Sequence, residues 1–309
     1  MAIVLLCIVA PVSSAESEQV KISIILSSDS RLYYEAVEGI EDSLENSNTV
    51  QYQVKTFDDL SSARVADVYG GMDFIIAVGS KASRYVLQNP TQKPVLSILV
   101  PKQSYQTLLG NAGEEVGANY SVVYLGQPVS RLLLLAKIIS GNKNNNVGMV
   151  FGPASKQQLD DYINESDRLS LNLSYIEEEN DKRALDAIKD LVTDTSVFLA
   201  LYDRKVMNRK TAKWLLYLAG VKRKPVIGYS QSYVDAGALA AVYTSPYQAG
   251  ENAALWLTDN MTGNREVTWN KHPDLFAVKI NKKTMRKLNM IIDSSARIET
   301  QIRLNEASQ

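Results

Sequence analysis

The sequence predicts an α/β protein built from two doubly wound, parallel-sheet lobes joined by a hinge. Three observations predict it. Short apolar runs alternate with segments whose apolar residues recur at helical spacing, the rhythm of a parallel sheet with helices on both faces. The rhythm restarts beyond residue 130. The 309 residues also exceed what one compact core usually fills.

Residues 22–26 form a first apolar strand. Residues 32–44 read as a helix because Val37, Ile40 and Leu44 fall on one face. Residues 52–57 alternate as a strand does, residues 73–78 are a compact apolar run, residues 82–87 begin a helix and residues 94–100 are again a strand. In the second set, 131–139 is a helix and 142–146 (Asn-Lys-Asn-Asn-Asn) a polar turn. A strand at 147–151, a helix at 157–169, an edge-type strand at 173–176 and a helix at 182–191 follow. The unit closes with strand 197–201, helix 210–218 and strand 226–229. An extended stretch at 238–243, a helix at 249–260 and a strand at 276–280 remain after both lobes are built, so the chain must recross. Crossings are expected near 121–125, 241–245 and 262–272. The expected lobes are 19–121 plus 246–262 and 122–243 plus 275–292. Residues 293–309 are polar and charged, a surface helix or a frayed end.

Hydrophobic content of 45%, charged content of 22% and a net charge of -1 describe an ordinary globular chain. Its pI near 6.0 shows no basic excess to draw it to nucleic acid, and no nucleic-acid partner is expected. Residues 1–11 are an apolar run followed by small residues to Ala15, which matches the hydrophobic core and cleavage site of a secretory signal peptide. Cleavage near Ala15 and a periplasmic location are therefore expected. No Lys or Arg precedes the run, and a buried N-terminal strand is the competing reading. Cys7, the single cysteine, falls in this segment, so the remainder has no disulfide, thiolate metal site or cysteine nucleophile. Asn-x-Ser/Thr triplets occur at Asn119, Asn164, Asn172 and Asn260, of consequence in a glycosylating pathway alone.

Catalysis finds little support. His272 is the single histidine, so no imidazole pair exists for a transition metal, and no metal site is expected. There is no Gly-x-Ser-x-Gly, no phosphate-binding Gly-x-x-x-x-Gly-Lys loop and no dinucleotide fingerprint, so neither an enzyme nor a cofactor is expected. Binding residues are more visible. Ser27-Ser28-Asp29-Ser30 follows the first strand, where hydroxyls before a helix N-terminus either hold an anion or cap the helix. Gly79-Ser80 repeats the pattern after another strand, and Gly152 after the first strand of the second lobe. Asp203, after strand 197–201, either pairs with a ligand ammonium or caps the next helix. Tyr33, Tyr34, Tyr105, Tyr202, Tyr229 and Tyr233 lie near strand ends, where an amphipathic ring can stack on a ligand and hydrogen-bond it. Ser230 follows a strand and can donate to a carboxylate.

Several segments together resemble the ABC transporter substrate-binding protein family that includes tryptophan/tyrosine-type binders. They are Val123-Tyr-Leu-Gly-Gln-Pro128, Arg131-Leu-Leu-Leu-Leu135, Val147-Gly-Met-Val-Phe-Gly-Pro153, Ala200-Leu-Tyr-Asp203, Pro225-Val-Ile-Gly-Tyr-Ser230, Val234-Asp-Ala-Gly-Ala-Leu239 and Tyr247-Gln-Ala-Gly250. The resemblance covers roughly 20–292 and implies a periplasmic-binding-protein type I fold. It puts Ser27, Ser28, Gly79, Ser80, Asp203 and Ser230 toward a ligand. Pro101, Gly152 and Tyr229 join them as strand-end residues. Val100-Pro-Lys-Gln-Ser-Tyr105 departs from the Thr/Asp-Pro-Val segment of many members and should border the cleft, so no ligand is carried over. The implied function is an exported, monomeric solute-binding protein that captures a small polar or amino-acid-like solute and delivers it to a membrane permease with its ATPase. The alternative is a sensory module of the same fold signalling to a membrane receptor or outer-membrane partner.

Overall fold

The computed structural model describes residues 19–45, 50–61, 64–113, 116–141, 145–262 and 268–308. The expected signal peptide at 1–15 lies outside them. The first run is β1 (Val20–Leu26), α1 (Arg31–Leu44), β2 (Val50–Thr56), α2 (Val65–Tyr69), β3 (Phe74–Val78), α3 (Ser80–Gln88), β4 (Val95–Pro101), α4 (Lys102–Ala112) and β5 (Tyr120–Leu125). The second is α5 (Val129–Ser140), β6 (Asn146–Phe151), α6 (Leu159–Leu169), β7 (Asn172–Glu177), α7 (Asp181–Asp194), β8 (Val197–Leu199), α8 (Arg209–Lys222), β9 (Val226–Gly228), α9 (Gln231–Asp235) and β10 (Ala240–Tyr243). The chain finishes with α10 (Pro246–Met261), β11 (Asn270–Lys271), β12 (Ala277–Ile280), α11 (Lys282–Lys287) and α12 (Ser295–Ala307).

Two six-stranded sheets result, in the orders β11-β5-β4-β3-β1-β2 and β12-β10-β9-β8-β6-β7. The lobes thus repeat one strand order. Every pairing is parallel except β10 with β12. The inner strands are apolar on both faces because helices cover both. In the first lobe α1 and α10 bury Ile22, Ile24, Ile76 and Ile98, while the face carrying Ile25, Ile75 and Ala77 packs with Val86 of α3 and Tyr105 of α4. In the second lobe α5, α6 and α12 cover one face, and α7, α8 and α9 the other. Strand 173–176, read as edge-type, is the β7 edge.

Helices α1 and α10 approach backbone to backbone. A Cβ at Gly250 would lie 2.0 Å from the Ala36 carbonyl oxygen, and one at Gly39 2.1 Å from that of Tyr247. In β4 the register against β5 shifts between Ile98 and Val100, with Leu99 at φ 53°. The extra residue changes the facing parity. Leu96 and Ile98 pack under α1 and α10, whereas Val100 enters the opposite core.

The chain crosses between lobes at 126–128, 244–245 and 272–276. The first crossing therefore falls beyond the expected 121–125. Tyr120 to Leu125 pair with β4 as an inner strand of the first sheet, which is why they are apolar. The third falls at the end of the expected 262–272, because Asn270 and Lys271 still pair with β5. Residues 295–307 are a docked helix of the second lobe, with Ile298 and Ile302 both 0% exposed.

Candidate ligand-binding cleft

The loops that follow strand carboxyl ends form the ligand edge of a doubly wound sheet. Gln103, two residues past β4, donates its side-chain N–H to the carbonyl of Ala154, three residues past β6. This bond joins the lobes away from the hinge, so the carboxyl-side rims of the two sheets face each other.

On the first rim, Ser27 is buried, and its Oγ accepts from the backbone N–H groups of Lys81 and Ala82, each at 3.0 Å. A hydroxyl from β1 therefore caps α3, and two N–H groups open to an anion on sequence grounds are already paired. Gly79 sits at φ 89°, and a Cβ there would lie 2.6 Å from Ser27 Oγ and 2.8 Å from the Tyr33 hydroxyl. Its conformation and its surroundings both require glycine. Ser28, Ser80 and Pro101 are half-buried on this rim. The hydroxyls of Ser28 and Ser80 have no partner among the described residues. Ser30 precedes α1 without a side-chain capping bond. Beside it, a hydrogen bond to Asp29 raises the Tyr34 phenol above its ordinary pKa.

On the second rim, Asp203 is 1% exposed. Its Oδ2 accepts from Ala154 N at 2.9 Å, Ser155 N at 2.9 Å and Ser155 Oγ at 3.1 Å, and its Oδ1 from Lys205 N at 2.9 Å. The carboxylate foreseen as an ammonium partner is thus spent inside the lobe, locking the turn after β6 to the turn after β8. Gly152 is part of the lock, because a Cβ there would lie 2.5 Å from the carboxylate. Tyr202, the residue before Asp203, belongs to a cluster of three tyrosine rings. Tyr229 is half-buried and meets Tyr202 at 5.4 Å and Tyr233 at 4.9 Å between ring centroids. Burial raises the phenols of Tyr229 and Tyr233, so both are neutral near pH 7. Tyr202 is 42% exposed. Ser230 precedes α9, with its Oγ 3.0 Å from that of Ser232.

Behind the rims the three crossing strips are tied together. Gln127 donates to Thr244 Oγ1 at 2.8 Å, and Thr244 donates to the Leu275 carbonyl at 2.7 Å. Arg131, with its side chain 8% exposed, donates to Gln127 Oε1 and to the Pro273 carbonyl, and pairs with Glu306 of α12. His272 Nδ1 lies 3.2 Å from the Gly126 carbonyl.

Sequence reasoning placed Ser28, Ser80, Pro101, Gly152, Tyr229 and Ser230 on the facing rims, but it missed Gln103 as a lobe-to-lobe contact. The strand-to-helix break at Pro101 was the available signal. Among the described residues no group of three His, Cys, Asp or Glu side chains is placed to hold a metal. No helix of the described residues is long and apolar enough to cross a membrane.

Comparison with known proteins agrees with this architecture. The family model described as ABC transporter substrate binding protein matches residues 19–301. No curated protein matches. One similar solved structure is the ligand-free, open form of a substrate-binding protein with adhesive properties from Clostridium difficile, with TM-score 0.72 and 17% identity over 89% of this chain and 96% of that one. Another is an ABC domain from Streptococcus pneumonia in complex with L-Trp, with TM-score 0.59 and 16% identity over 91% and 98%. A third is a periplasmic ribose ABC transporter protein from Conexibacter woesei, with TM-score 0.58 and 11% identity over 91% and 97%. At these identities the structures establish the shared fold, two α/β lobes of the periplasmic-binding-protein type I kind. Because the family match spans nearly the whole described chain, the protein belongs to the ABC transporter substrate-binding protein family.

Proposed function

We propose that this chain is an exported, monomeric binding protein without catalysis of its own. It captures a small polar or amino-acid-like solute between its lobes and delivers it to a membrane permease with its ATPase. The observation that supports this most is the pair of facing carboxyl-side rims, bridged by Gln103 and Ala154, on lobes joined by three short strips. A solute that touches both rims stabilises the closed arrangement by its extra contacts there. Ser28 and Ser80 offer unspent hydroxyls to an anionic or polar end. Tyr229, Tyr202 and Ser230 offer ring faces and hydroxyls to the other end, and Gly152 and Pro101 shape the gap. Asp203 and Ser27 act from behind, holding the rims in shape.

Thermal unfolding against amino acids, organic acids and small aromatics tests the reading. A true solute at about a hundred times its Kd adds about 2.7 kcal/mol of stability, in a dose-dependent way. The same solute should shrink the radius of gyration in solution scattering. Replacing Tyr229 with Ala should weaken its binding about tenfold, measured by titration at a temperature where the variant, which loses ring packing against Tyr202 and Tyr233, is still folded. If no solute stabilises the protein, or a stabilising solute is chemically turned over, the proposal fails.

A further inference from the structure

We propose that the groove between α3 and α4, reached across the gap by Arg204 of the second lobe, binds a small-molecule oxyanion and thereby ties the lobes together. The groove has a volume of about 590 Å³. Arg84 of α3 lines it from the first lobe and Arg204 from the second. Neither guanidinium has an ion-pair or hydrogen-bond partner among the described residues. No Asp or Glu lines the groove. Two cations without a counter-charge among the described residues border one concavity, and a carboxylate or phosphate there supplies that charge while accepting N–H bonds from each fork.

The remaining lining suits the same ligand. Ser80, Ser104 and Asn111 carry side-chain donors with no partner among the described residues. The Thr107 hydroxyl donates to the Gln103 carbonyl at 2.9 Å and so remains an acceptor. Both arginines start from fixed backbone. The turn carrying Arg204 is pinned by the bond from Lys205 N to Asp203, and the first turn of α3 by Ser27. The groove adjoins the proposed solute cleft at Ser80 and extends away from it. Ser80 borders both, so the anion is either the acidic end of the cleft solute or a second ligand.

Calorimetric titration with succinate and with inorganic phosphate, at constant ionic strength, decides the matter. The wild type should bind at least one probe. Arg84→Gln and Arg204→Gln should each weaken it about tenfold, and the double variant about a hundredfold. Both arginines are exposed, so the variants should unfold like the wild type. The bound probe should lower the radius of gyration of the wild type and leave that of Arg204→Gln unchanged. A Tyr229→Ala variant separates the sources. Weakened succinate binding identifies the acidic end of the cleft solute, and unchanged binding a second ligand; both support the groove. If neither probe binds, or the double variant binds as the wild type does, the anion site is rejected. The cleft proposal is then untouched, since it is judged by solutes that depend on Tyr229.

Discussion

The Asp203 carboxylate joins two turns that are 48 residues apart in sequence, through bonds from Ala154, Ser155 and Lys205. Truncating it leaves these three backbone N–H groups without their acceptor, at about 1–3 kcal/mol for each one kept from water. Asp203→Ala should therefore destabilise the protein by about 3 kcal/mol in urea unfolding. Gly152→Ala places a methyl group on the same carboxylate and should cost a similar amount. Because both changes break one lock, the double variant should lose clearly less than the sum. Additive losses would mean that the two residues act separately. Each half of the lock is visible in the sequence, as Gly152-Pro-Ala-Ser155 and Ala200-Leu-Tyr-Asp203. What the carboxylate faces is not, since an acid after a strand serves equally well as a ligand contact or as a cap.

Most helices and strands follow from periodicity and burial, and where the reading slips the cause is packing context. Residues 121–125 look like a crossing strip in a linear pattern but pair as an inner strand. Residues 293–309 read as a surface helix or a frayed end because most of their positions are polar; the helix is there, and its docking is what the pattern did not show. Two isoleucines four apart, Ile298 and Ile302, put one stripe of α12 into the core of the second lobe. Ile302→Ala should destabilise by about 3 kcal/mol, measured by chemical unfolding. Glu306→Gln tests the other anchor of the helix. It leaves the guanidinium of Arg131 enclosed with a weaker partner, and Glu306 is itself 27% exposed, so a loss of about 2 kcal/mol is expected. A loss near zero in both variants would show that α12 does not brace the lobe. Ser27 is a further case of context, a hydroxyl just past one strand accepting from Lys81 N, 54 residues later, in the first turn of α3.

At the level of the whole molecule, the proposed solute capture depends on how three strips hold two similar lobes. His272 sits among those strips, its ring 5.7 Å from that of Tyr124. Burial pushes its imidazole below the ordinary 6.5, the positive charges of Lys102 and Arg131 push the same way, and the hydrogen bond with Gly126 opposes them. Unfolded, the ring takes up a proton as pH falls through about 6.5, while the folded ring stays neutral to lower pH. The unfolded chain then holds more protons, so stability that is full above pH 6.5 declines as pH falls toward the folded value. His272→Gln should flatten the stability profile between about pH 7 and pH 5.5; an unchanged slope would place the loss on other groups. The alternation of apolar runs and helical stripes was enough to specify two parallel-sheet lobes and a recrossing tail, because local periodicity dictates which faces must be buried. The family likeness was equally legible in short ordered segments. Which groups are free for a ligand was settled by folding. Ser27 and Asp203 are consumed by partners about 50 residues away, and Arg84 and Arg204 have none among the described residues, because hydrogen-bond and charge balance depend on neighbours in space.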